Sequence, residues 1–139
     1  MRTALDSNVI SSLWSGEPSA SRINAGLVEA RARGRLVICA PVFAELMAHP
    51  VAKEGVLDKF LADTGIATDF DLDEGVWRKA ASGFAAYAQR RRRSGGDSPK
   101  RLVVDYIIAA HALLHADQLM TLDTRRYAQD FPTLRLINL

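Results

Sequence analysis

Four acids in this 139-residue chain stand where carboxylates could work together. Asp6, in TALDSNVI, follows a short apolar run and precedes a helical pattern. Glu45 lies about one turn into the helical pattern that follows RLVICA. Asp105 interrupts the apolar helix LVVDYIIAAHALL. Asp123, in TLDTRRY, follows QLMTL much as Asp6 follows its own run. Each acid has an ordinary explanation. Asp is a common helix N-cap, so Asp6 and Asp123 could cap helices. Glu45 could be an exposed helix residue. Asp105 is harder to explain, because Val103, Val104, Tyr106, Ile107 and Ile108 flank it. Burying an unpaired carboxylate there would cost roughly several kcal/mol, so it needs a partner, a metal or a cleft.

Carboxylates crowded together repel, and without a cation at least one has a raised pKa. Oxygen-only ligands suit a hard ion, Mg²⁺ or Mn²⁺. Two such ions about 4 Å apart activate water and stabilise the leaving oxygen in phosphodiester hydrolysis. The histidines offer no equivalent. His111 and His115 have an i, i+4 spacing that could bind zinc, but no glutamate lies between them as in HExxH. His49, just before Pro50, reads as a helix end. Asp97, in the loop RRRRSGGDS, could approach the acids, but Asp beside Gly commonly marks a turn.

Charge supports a polyanionic substrate. The chain carries 18 Lys and Arg against 16 Asp and Glu; setting the four acids aside leaves 18 against 12, a balance of +6. The basic residues cluster at Arg90–Arg93, at Lys100 and Arg101, and at Arg125 and Arg126. They could serve solubility or a helix dipole. They could equally form a surface for phosphates. Arg101 precedes Asp105 by one helical turn and Arg125 and Arg126 closely follow Asp123, so these three are the candidates for nucleic-acid contact. Guanidinium forks bind phosphate oxygens in pairs.

The elements that must position these groups alternate. Strands are expected at residues 2–5, 35–40, 66–70 (weakly), 118–122 and 134–139. Helical patterns fill 19–33, 41–49, 54–63, 73–93 and 102–116, with Gly34 as a stop, Pro41 as a start, and Ser98-Pro99 as a cap and first turn. The last of these helices is apolar nearly all round and should be buried. The alternation predicts an α/β fold in one domain: a mostly parallel central sheet of about five strands with helices on both faces. In such sheets functional groups gather beyond the carboxyl ends of the strands. That is where Asp6 and Asp123 fall.

With 48% hydrophobic residues the chain can build a sizeable core. Its single cysteine, Cys39, excludes an intrachain disulfide and reads as a buried thiol. Residues 1–20 lack the layout of a secretory signal, and no apolar run reaches membrane-spanning length, so a cytoplasmic location is expected.

Taken in order, LDSNVI, APVFAEL, VVDYIIAAHAL and LMTLDTRRY resemble the four acidic motifs of the PIN-domain family, and within it the VapC-type toxins of toxin–antitoxin pairs. The resemblance covers essentially the whole chain. It implies a metal-dependent endoribonuclease, usually a homodimer, inhibited by a small antitoxin whose tail occupies the acidic groove. Asp6 and Asp105 would then be the principal ligands of one or two Mg²⁺ or Mn²⁺ ions. Glu45 would complete the pocket and position water, and Asp123 would serve the second ion or its water shell. Asn8 and Thr121 match supporting polar positions, although a cap-region Asn and a strand Thr are ordinary too. On this reading Asp→Asn at 6 or 105 should cost metal affinity and leave folding intact. Two rivals stay open. A phosphoryl-accepting signalling domain would want an acidic pair and a lysine after a late strand, and the chain has neither there. A DNA-binding toxin–antitoxin component would use the same fold mainly to dimerise and present an antitoxin.

Overall fold

The computed structural model describes residues 1–53, 55–96 and 102–139. Five strands form one sheet: β1 (Arg2–Leu5), β2 (Arg35–Cys39), β3 (Ile66–Asp69), β4 (Gln118–Thr121) and β5 (Leu136–Asn138). The helices are α1 (Ser7–Trp14), α2 (Ala20–Arg33), α3 (Ala40–Met47), α4 (Val56–Thr64), α5 (Glu74–Arg93), α6 (Val103–His115) and α7 (Arg125–Ala128). The strand order is β3-β2-β1-β4-β5 and every neighbouring pair is parallel. The sheet is therefore wholly rather than mostly parallel. From β1 the chain steps outward to β2 and β3, then returns across the sheet to β4 and β5. Right-handed crossovers in these two directions put helices on opposite faces.

The core follows the apolar pattern. All four residues of β4 are buried, as are Leu36 to Cys39 of β2. Strands covered on both faces read as continuous apolar runs, as these do. At the turn into β2, Gly34 has no room for a side chain: a Cβ there would run into the Met1 carbonyl oxygen. That carbonyl accepts from Arg35 N at 2.9 Å, so β1 and β2 begin against each other.

Helix α6 is buried from Tyr106 to Ala112 and packs on α3, α5, α7 and β4. Its all-round burial stops there, since Val103 and Leu114 are exposed. The expected start at Ser98-Pro99 lies outside the described residues, as does Asp97. Helix α7 answers to no pattern read above. Among the described residues no helix is long and apolar enough to cross a membrane.

Candidate active site

Asp6 follows the last residue of β1 in the middle of the sheet. Its backbone N–H still donates to Met120 O across the ladder, at 3.0 Å. The side chain is 1% exposed, yet each oxygen is satisfied. Oδ1 accepts from Ser7 N at 2.8 Å. Oδ2 accepts from the Thr121 hydroxyl at 2.9 Å and from the Tyr127 hydroxyl at 2.7 Å. A buried carboxylate is tolerable only with such partners. The capping reading is realised, because Asp6 is the N-cap of α1.

Thr121 ends β4 and is fully buried. Its hydroxyl donates to Asp6 and accepts from Asp123 N at 3.1 Å and from Asn8 Nδ2 at 3.4 Å. Asn8 Oδ1 in turn accepts from Leu122 N at 3.2 Å. Asn8 and Thr121 thus brace the turn that carries Asp123. Tyr127, on α7, is the site residue the sequence reading missed. Burial, followed by the neighbouring Asp6, drives its pKa far above that of a free phenol, so it remains a hydrogen-bond donor.

Asp105 sits in the first turn of α6 with a side chain 14% exposed. The partner its burial demands is Arg126, whose Nη1 lies 3.4 Å from Oδ1. The same guanidinium lies 3.5 Å from Asp123 through Nε, while Asp123 Oδ1 accepts from Arg126 N at 3.3 Å. Arg126 has its pKa raised: burial opposes the charge, but Asp105, Tyr127, Asp6 and Asp123 together outweigh it. Glu45, on α3, is exposed as a residue. Its carboxyl nevertheless has a raised pKa, from burial first and then from Asp6 and Asp105, with the Ser7 hydroxyl offsetting part of the rise. Repulsion from Asp6 and Glu45 adds to burial at Cys39, whose thiol is pushed up to about 11.

Asp6, Glu45 and Asp105 thus act on one another at the carboxyl edge of the sheet, and Asp123 joins them through Arg126. In donor type and charge the set fits a hard cation, and a guanidinium already offsets two of its members. Among the described residues, no three His, Cys, Asp or Glu side chains are arranged to close round an ion. The side chains are tied to protein partners.

The remaining candidates divide. Arg125 is exposed on α7, and Arg101 lies outside the described residues. Arg90 turns inward, where its Nη2 meets Asp130 at 2.6 Å; the Tyr106 hydroxyl binds the same carboxylate at 2.8 Å. The histidine pair does not act as a ligand pair: His111 Nε2 meets Asp69 at 3.1 Å and His115 Nε2 meets Asp73 at 2.7 Å. The two roomier hollows lie elsewhere. One, about 300 Å³, is lined by Gly26, Gln118 and Ile137, and the other, about 270 Å³, by Leu27, Phe60 and Ile66.

The family described as PIN domain matches residues 3–132, a span that includes all four acids. No curated protein matches the chain in sequence. Solved structures share its fold. The chain is similar to FitAcB from Neisseria gonorrhoeae, with TM-score 0.64 and 23% identity over 98% of this chain and 96% of that one. It is also similar to VapBC2 from Rickettsia felis bound to a DNA fragment from their promoter, with TM-score 0.61 and 22% identity over 99% and 98%. A toxin–antitoxin complex from Klebsiella pneumoniae gives TM-score 0.64 and 18% identity over 98% and 96%.

Proposed function

The chain belongs to the PIN domain family, and from that membership we propose that it is a Mg²⁺- or Mn²⁺-dependent endoribonuclease, the toxin half of a type II toxin–antitoxin pair. The observation that carries the reading is geometric: Asp6 is held at the end of β1 by Thr121 and Tyr127, with Arg126 bridging Asp105 and Asp123 beside it and Glu45 close enough to feel Asp6 and Asp105. When bound, one or two divalent ions supply charge for the scissile phosphate and lower the pKa of a water.

The protein's own groups do the rest. Asp6, held in place by Ser7, Thr121 and Tyr127, would serve as a ligand through Oδ1, which accepts one hydrogen bond where Oδ2 accepts two. Asp105 and Asp123 are the further ligands. Glu45 is the acid best placed to hold and pass on a proton, because burial, and then Asp6 and Asp105, favour its protonated form. Arg125, exposed beside the site, and Arg101 are the candidate contacts for the RNA backbone; Arg126, expected with them, instead has its guanidinium on Asp105 and Asp123.

The structural neighbours named as toxin–antitoxin complexes support an antitoxin as partner; the homodimer is carried over from the family resemblance alone. One neighbour is bound to promoter DNA, and it supports a second reading in which the protein serves mainly as a component of a DNA-bound complex. Cleavage by the isolated chain separates the two. Purified protein with Mn²⁺ should cut RNA to 5′-phosphate and 3′-hydroxyl ends, EDTA should stop it, and Asp6→Asn should abolish it. Cleavage undiminished in EDTA would overturn the metal-dependent reading.

A further inference from the structure

We infer that Arg126 is a built-in counter-cation that competes with divalent metal for Asp105 and Asp123, so that an ion must displace its guanidinium to occupy the acidic site. The inference rests on the metal-dependent reading above.

Three observations carry it. First, the guanidinium lies against two of the four acids, at 3.4 Å and 3.5 Å. A divalent ion held by those carboxylates would meet a fixed positive charge at close range. Second, these contacts are loose. Charge-assisted N–H···O bonds commonly run about 2.7–2.9 Å. The chain also holds an arginine pair that is locked: Arg90 meets Asp130 at 2.6 Å, with the Asp130 side chain 2% exposed. Arg90 is itself 39% exposed and Arg126 36%, so the difference lies in the carboxylates: those facing Arg126 are 14% and 44% exposed and can be resolvated when it leaves. Third, its backbone is anchored. Arg126 N donates to Asp123 Oδ1, and the neighbouring Tyr127 is fixed on Asp6, so the guanidinium can leave without unwinding α7.

The same arrangement would let the protein tolerate carboxylates in such proximity without an ion. Arg126 offsets their repulsion until an ion replaces it. Binding of metal and closure of the arginine are then linked equilibria of opposite sign.

The test is calorimetric titration of Mn²⁺ into wild-type protein, Arg126→Gln, Arg126→Lys and Asp6→Asn, with unfolding followed in EDTA and in saturating Mn²⁺. Each partly exposed ion pair of this kind corresponds to roughly a 1.4- to 5-fold change in binding, so Arg126→Gln, which loses two, should bind Mn²⁺ more tightly by about 2- to 30-fold. Arg126→Lys, which keeps the charge, should stay close to wild type. In EDTA Arg126→Gln should melt below wild type, and saturating Mn²⁺ should close the gap; a merely structural arginine would leave the gap open. Equal or weaker Mn²⁺ binding by Arg126→Gln, or equal tightening by Arg126→Lys, would overturn the inference while leaving the metal site standing. Wild-type protein whose Mn²⁺ binding is absent, or unaffected by Asp6→Asn, would overturn both.

Discussion

Thr121 shows how much one side chain can decide. A hydroxyl has one proton to give and two lone pairs, and Thr121 uses all three, on Asp6, Asn8 and Asp123. Tyr127 contributes a single bond, but to a buried charge. Hydrogen bonds to charged groups are worth roughly 1.5–3 kcal/mol, so Tyr127→Phe should lower unfolding stability in EDTA by about 2 kcal/mol, read from urea midpoints. Asp6→Asn should also destabilise, against the expectation that folding would be untouched. An amide cannot accept from Ser7 N on one side and from two hydroxyls on the other, because one of its arms is a donor. About 1–3 kcal/mol is at stake, and urea unfolding in EDTA will show whether it is lost. The acid itself was legible in the sequence, since Asp at a strand end is a recognisable placement. Its phenolic partner was not, because nothing in RRY says that the ring turns back across the sheet to Asp6. The need of Asp105 for a partner could be read from its apolar flanks, but the identity of the partner could not.

The strands were legible as elements because burial on both faces makes them short continuous apolar runs. Helix α7 was not, because four residues are too few to display a helical period. At the turn into β2, Gly34→Ala should cost roughly 1–3 kcal/mol, since the added carbon meets backbone rather than a side chain that can move aside. Thermal unfolding measures this directly. The buried tie between α6 and β3 should respond to pH. Asp69, His115 and Arg2 surround His111, and burial outweighs Asp69, holding the imidazole pKa below its ordinary 6.5. The neutral ring then donates from Nε2 to Asp69. A base with a lowered folded pKa stabilises above its unfolded pKa and loses that contribution as pH falls toward the folded value. Glu45, with a raised pKa, works in the opposite sense. The measurement is therefore a comparison: between pH 7 and pH 5, wild type should lose more stability than His111→Gln.

At the scale of the molecule, an acidic edge is set in a chain of net charge +2. If Arg125 meets RNA phosphate, Arg125→Ala should flatten the salt dependence of RNA binding by roughly one unit of slope without changing Mn²⁺ affinity. Filter binding across a salt series is the check, and equal slopes would assign Arg125 to solvent or to a protein partner. The central place of β1, paired with β2 on one side and β4 on the other, has a further consequence for synthesis. Strands β1, β2 and β3 leave the ribosome first and can pair as they emerge. Both donors to Asp6 Oδ2 come much later, from positions 115 and 121 residues downstream. Such long loops close late in folding. A nascent chain thus carries Asp6 with neither hydroxyl in place until translation has passed Tyr127. A copy cut short before β4 would lack Thr121, Asp123, Arg126 and Tyr127 together, leaving Asp6 with Ser7 N as its one remaining donor.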